Sequence, residues 1–242
     1  SLGDALPTKF ELSALRPWHS YFLRYSSTLS VMKAARLAKA SSVDGAVIMS
    51  RLELPYVPPA LLSTLKNIRV LDLSHNHLVA LPYELCLLVN LTALYLHNNL
   101  LNQVDDSFLF SGIKDLRLHN NPLETVVDGF ASMTALTHLN LSCTEMRPCP
   151  RLEHLTNLTE LNLEGSVVEG AQWLPRLTAL TVLHLDNLLP SSNLDECDLG
   201  SLGCLTVLSI SGNRLRQPPL GLSLLTQLEV LDISCTPITS VA

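Results

Sequence analysis

Aromatic residues are scarce in this chain of 242 residues, at 5%, and charged residues reach only 16% against a usual share of about 25%. Low charge with abundant apolar residues excludes intrinsic disorder. Glycine numbers only 10, which excludes collagen, and the 14 prolines are scattered, which excludes a coiled coil. No apolar run exceeds about five residues, far short of the ~18 that span a bilayer. No Cys-x-x-Cys pair occurs among Cys86, Cys143, Cys149, Cys197, Cys204 and Cys235, so no structural zinc site is expected. Ser1-Leu2-Gly3-Asp4 opens the chain without Met and without the basic-then-apolar pattern of a secretory signal. Phosphate-binding loops, zinc-protease motifs and nucleophile elbows are also missing. No catalytic residue, metal ligand or cofactor is therefore expected.

What the chain does have is leucine: 55 residues, close to 23%. Its charge is unevenly placed. Residues 1–45 carry six Lys/Arg and three acids, a net of +3, while residues 46–242 carry ten and nineteen, a net of −9, adding to −6. An acidic body disfavours nucleic acid, whose binding rests on phosphate contacts. Cysteines outside any clustered framework behave as small buried hydrophobes and suit a reducing compartment.

The leucines repeat. Ile68-x-x-Leu71-x-Leu73-x-x-Asn76-x-Leu78 is followed by Leu91-x-x-Leu94-x-Leu96-x-x-Asn99-x-Leu101, and the frame restarts at 113, 136, 158, 180, 205 and 228. The spacings are 23, 22, 23, 22, 22, 25 and 23. A weaker copy, Val47-x-Met49-x-x-Leu52-x-Leu54, precedes them. The reading is one degenerate repeat, seven full ones and a last one cut short. Because that last repeat stops at Ala242 before its returning part, the chain is expected to be a piece of something longer.

This frame resembles the leucine-rich repeat over about residues 46–242, most closely the cytosolic class of 22–24 residues. The resemblance implies an α/β solenoid. A curved parallel sheet would line its concave side, with short helical or 3₁₀ segments on the convex side. Physical chemistry gives the same expectation: in L-x-L both leucines face one side of a short strand, and stacked coils pool them into one interior. The polar position, read as Asn76, Asn99, Asn121, Thr144, Ser166, Leu188, Asn213 and Thr236, is expected to bond backbone groups of its own turn and of the next coil. Leu188 cannot, so a bulge is expected over 188–193. Residues such as Glu84–Leu88 should form short convex turns.

A solenoid needs its ends covered. Residues 1–45 lack the repeat but hold five aromatics, Phe10, Trp18, Tyr21, Phe22 and Tyr25, and are expected to form a helical cap.

Candidate binding residues come from the slots around L-x-L on the concave sheet. Tyr95, His97, Arg117 and His119 fall on two adjacent coils, and Tyr and Arg are enriched in binding hot spots. A later, acidic zone has Glu160, Glu164, Asp186, Glu229 and Asp232, and His184 is a candidate in a middle slot of the same coils. His97 and His119 should lie roughly 5 Å apart, the spacing of neighbouring strands. If they titrate near pH 6–7 while a partner is bound, affinity should change between pH 6 and 8. The functional expectation is a cytoplasmic, monomeric, non-catalytic module that binds another protein, with no nucleic-acid or membrane role. The alternative is a regulatory or targeting segment of a larger kinase, phosphatase, GTPase or ubiquitin ligase.

Overall fold

Each L-x-L pair turns its leucines to one side, and nine successive coils place those pairs in register. The fold was analysed in a computed structural model, which describes residues 45–65, 67–104, 112–126, 128–144, 146–147, 152–168, 171–190, 192, 194 and 197–239. Nine three-residue strands form one sheet: β1 Ala46–Ile48, β2 Val70–Asp72, β3 Ala93–Tyr95, β4 Asp115–Arg117, β5 His138–Asn140, β6 Glu160–Asn162, β7 Val182–His184, β8 Val207–Ser209 and β9 Val230–Asp232. They pair in parallel and in chain order. Parallel neighbours require a long return between strands, and each repeat supplies one. The returns contain a short α-helix, Pro59–Leu62, and 3₁₀ turns at Tyr83–Leu87, Asp128–Ser132, Ala171–Arg176 and Leu222–Leu224. Two returns also pair through Gln103–Val104 and Thr125–Val126. The first 3₁₀ turn falls where Glu84–Leu88 was expected to turn.

The register aligns the strand leucines: Leu71, Leu94, Leu116, Leu139, Leu161, Leu183, Leu208 and Leu231 are successive partners. All but the last are 0–1% exposed, whereas Leu231 in the final coil is only partly buried. Phe130 and Trp173 fill the returning side. At the other end Val47 and Met49 are fully buried. The helical cap expected over residues 1–45 lies outside the described residues, apart from Gly45.

A buried polar ladder ties the coils together. Asn76, Asn99, Asn121 and Asn213 are 3–7% exposed. Each Nδ2 donates to two strand-end carbonyls, as Asn121 does to Leu96 at 3.0 Å and Leu118 at 2.8 Å. Each Oδ1 accepts a backbone N–H of the preceding coil, such as Leu101 N–H on Asn121 at 3.1 Å. The expected bond to the next coil is therefore reversed. The N–H groups that begin each return face the following coil, so the following coil's side chain must meet them.

Leu188 breaks the ladder as expected, and the 25-residue repeat repairs it. Ser192 Oγ accepts the Val168 N–H at 2.8 Å, the site two residues past Ser166 that a ladder Asn would serve. The extra residues bring Ser192 to that position. A second rail consists of threonines: Thr92, Thr137, Thr159, Thr181 and Thr206 each donate a hydroxyl to a carbonyl of the preceding coil at 3.0–3.1 Å.

The residue just before each ladder position is left-handed: His75, Asn98, Asn120, Cys143, Gly165, Asn187, Gly212 and Cys235, with φ between 50° and 66°. The chain must turn sharply there, and only Gly or Asn adopts that conformation at little cost. Cys143 is exposed, so its sulfur gives little packing in return. Cys143→Gly should raise stability by about 0.5–1 kcal/mol, the relief of strain net of added chain entropy. A lower urea midpoint for the variant would contradict this.

Candidate functional site

The concave face is built from the strand positions on either side of each inward leucine. Register makes Asp72, Tyr95, Arg117, Asn140, Asn162, His184, Ser209 and Asp232 one continuous row. Within it Tyr95 and Arg117 are adjacent, and Asp115 binds both. The Tyr95 hydroxyl donates to Asp115 Oδ2 at 2.9 Å. Arg117 donates through Nε to Oδ1 at 3.2 Å and through Nη2 to Oδ2 at 3.1 Å. Its guanidinium carbon lies 4.7 Å from the centre of the Tyr95 ring, a cation–π distance. Burial, and then the bond to Asp115, push the Tyr95 phenol up. The same carboxylate raises the Arg117 guanidinium further. The result is an aromatic-guanidinium surface in which one carboxylate joins both side chains.

Asp115 was not among the sequence candidates. It stands one position before the inward leucine, a slot that elsewhere holds Val70, Ala93, His138, Glu160, Val182, Val207 and Val230. An acid in a mostly apolar column, beside Tyr95 on the neighbouring strand and Arg117 on its own, was the available signal.

The histidines come together as expected. His97 and His119 stack with ring centres 4.4 Å apart and planes 9° from parallel. His75 meets His97 edge-on at 5.3 Å, extending the pair to a row of three. Nδ1 of His97 and of His119 is buried without a hydrogen-bond partner. Burial, then His97 and Arg117, push His119 down to about 4. Burial, then His75, lower His97 as well. In the free protein His119 is therefore neutral near pH 6–7, because desolvation and the neighbouring Arg117 both disfavour its proton.

The later zone is arranged differently. Asp186 is 8% exposed. Its Oδ1 accepts the Ser209 hydroxyl, the Ser211 N–H at 2.7 Å and the Ser211 hydroxyl at 2.8 Å. Its Oδ2 lies 3.8 Å from His184 Nδ1. Asp232 accepts the Ser234 N–H at 2.8 Å, and that backbone bond holds its carboxyl below the usual range. Asp72, Asn140 and Asn162 accept the N–H two residues on in the same way, at 2.9 Å. An Asp or Asn in this row thus closes its own turn. Glu164 is half-buried on the coil before His184 and Asp186, while Asp232 stands two strands beyond them. The zone is a series of residues on coils six, seven and nine, not one cluster.

Among the described residues no group of three or more His, Cys, Asp or Glu could hold a metal ion, and no helix is long and apolar enough to cross a membrane.

Comparison with known proteins agrees with this architecture. The family model described as "Leucine-rich repeat and WD repeat-containing protein 1, LRR" matches residues 29–155, more than half of the chain. Internalin C2 of Listeria monocytogenes is similar in structure at a TM-score of 0.73 and 21% identity, covering 83% of this chain and 92% of that one. A leucine-rich repeat protein of Leptospira interrogans is similar at a TM-score of 0.51 and 23% identity, covering 78% of this chain and 60% of that one. The plant peptide hormone receptor RGFR1, solved in complex with RGF2, is similar at a TM-score of 0.65 and 21% identity; 79% of this chain spans 32% of the receptor. At such identities the likeness concerns the fold alone. A search of curated proteins found no match.

Proposed function

Because this chain belongs to the leucine-rich repeat family, we propose that it is a non-catalytic module that binds a partner protein on its concave sheet, centred on Tyr95, Asp115, Arg117, His97 and His119. The observation that carries this reading is the Tyr95–Asp115–Arg117 knot. Each inner strand already has its leucine on the core side, so the fold requires neither Tyr nor Arg on the outer side. Their side chains are nonetheless locked in place by Asp115, on a sheet whose backbone is fixed by two neighbours. A preorganised aromatic with a guanidinium is the composition of a binding hot spot.

Glu164, His184 and Asp232 extend the surface toward the later coils. Asp186 enters it as the residue that holds the turns of coils seven and eight together. The five described cysteines are free thiols, which supports a cytoplasmic location. Residues 1–45 are assigned the role of a cap on the first coil.

Tyr95→Ala and Arg117→Ala should each weaken partner binding by more than about 1 kcal/mol, roughly fivefold or more. A binding titration against a partner recovered by affinity capture measures it, with denaturation midpoints to establish that the variants remain folded. If both variants bind like wild type while Glu164→Ala fails, the site lies on the later coils and this assignment is wrong.

A further inference from the structure

The three imidazoles of His75, His97 and His119 stand on successive coils, 5.3 Å and 4.4 Å apart. Arg117, with a side chain 46% exposed, stands beside them, and the exposed Arg69 and Lys114 lie at the entry of the same strands. The acids that face the row are Asp72 and Asp115, and Glu160 faces Arg117 from two strands on. Asp72 already accepts the Ser74 N–H, and Asp115 is taken by Tyr95 and Arg117. On the following strand Asn140 and Ser142 are uncharged, and the imidazole of His138 lies 3.9 Å from the Glu160 carboxylate. The region therefore offers several donors and cations, and the two carboxylates nearest the imidazoles already hold donors of their own.

We propose, building on the concave-binding reading above, that the His75–His97–His119 row with Arg117 docks an acidic segment of the partner protein, and that docking takes up a proton. The argument is electrostatic. In the free protein His97 faces His75, Asp72, Arg117 and Asp115, while His119 faces His97, Arg117 and His75. Burial and the Arg117 guanidinium work against a proton on either ring of the stacked pair. A carboxylate laid against the row supplies the missing opposite charge, favours the imidazolium and makes a charge-assisted bond to it. Whatever the ligand does to the proton, the proton does to the ligand. The sign follows: affinity rises as pH falls below the titration of the bound imidazole and is flat above it. A bound imidazole returned to its ordinary value near 6.5 gives a gain of about tenfold between pH 7.5 and 5.5.

The test uses the whole chain and an octaglutamate peptide as the acidic probe, with an octalysine peptide beside it. Calorimetry at pH 5.5 in two buffers of different ionisation enthalpy measures proton uptake without any variant, and NMR follows the imidazole signals. The expected result is octaglutamate binding with uptake of about one proton, movement of the His97 and His119 signals, and about tenfold tighter binding at pH 5.5 than at 7.5. The His97→Gln/His119→Gln double variant should lose that pH dependence. Octaglutamate binding without proton uptake, or without imidazole movement, overturns the proposal. So does binding of octalysine alone, or of neither peptide. Partner binding that depends on Tyr95 and Arg117 but is flat with pH overturns this inference and leaves the concave site standing.

Discussion

Asn99→Ala will lower stability by about 1–3 kcal/mol, because it strips a buried N–H of its acceptor and two carbonyls of a donor. Asn99 is 5% exposed. Its Nδ2 donates to Leu73 O at 3.0 Å and Leu96 O at 2.9 Å, and its Oδ1 accepts the Leu78 N–H at 3.0 Å. The losses are unequal. Leu73 O keeps the Nδ2 of Asn76, and Leu96 O keeps that of Asn121. Leu78 lies at 0% exposure, and its N–H loses the side-chain oxygen that serves it. The damage is thus concentrated on one N–H in the coil before the mutation. In a solenoid each coil touches only its neighbours, so hydrogen exchange should speed up first at Leu78. A urea titration measures the whole effect, and a midpoint equal to wild type would sink the account of the ladder.

The architecture was legible because one residue type recurs at one spacing. Nine coils, nine parallel strands and the single row from Asp72 to Asp232 all follow from the L-x-L alternation. The bulge expected over 188–193 lies partly outside the described residues, but the break in the polar ladder at Leu188 was legible for the same reason, since an apolar residue at a polar position must be compensated. Its compensation was not: Ser192 lies outside the frame, and only the path of the chain brings it to Val168. The direction of the Asn bonds was also hidden, because a sequence does not say which way a peptide N–H faces. Left-handed positions were invisible where His75, Cys143 and Cys235 occupy them, as none advertises that conformation in the way glycine does. In the candidate site the pairing of Tyr95 with Arg117, and of His97 with His119, could be read from repeat arithmetic. Asp115 could not, because it sits in a column that is mostly apolar. The depressed titration of His119 depends on burial, His97 and Arg117 together, which spacing alone does not give.

Asp186→Ala should lower stability by about 2–4 kcal/mol, the largest effect expected of a single side chain on the concave face. One carboxylate oxygen gathers three donors from the following coil: the Ser209 hydroxyl, and the N–H and hydroxyl of Ser211. Hydrogen bonds to a charged acceptor contribute about 1.5–3 kcal/mol each. They share one oxygen, so their effects are not additive. The Ser209 residue is 9% exposed, and its hydroxyl would be left in a site with little access to water. Asp186→Asn keeps an acceptor at Oδ1 and should lose less than half as much. Ranking Ala below Asn below wild type in a denaturation series checks the structural role. The ranking also decides how a binding defect at this position is to be understood. Asp186 faces the concave side, and a partner assay alone would score its loss as a lost contact. If Asp186→Ala is destabilised and Asp186→Asn binds normally, the carboxylate acts on the partner only by holding coils seven and eight in register. If Asp186→Ala keeps the wild-type midpoint but fails to bind, the residue touches the partner itself, and the centre of the site moves from Tyr95 and Arg117 toward β7.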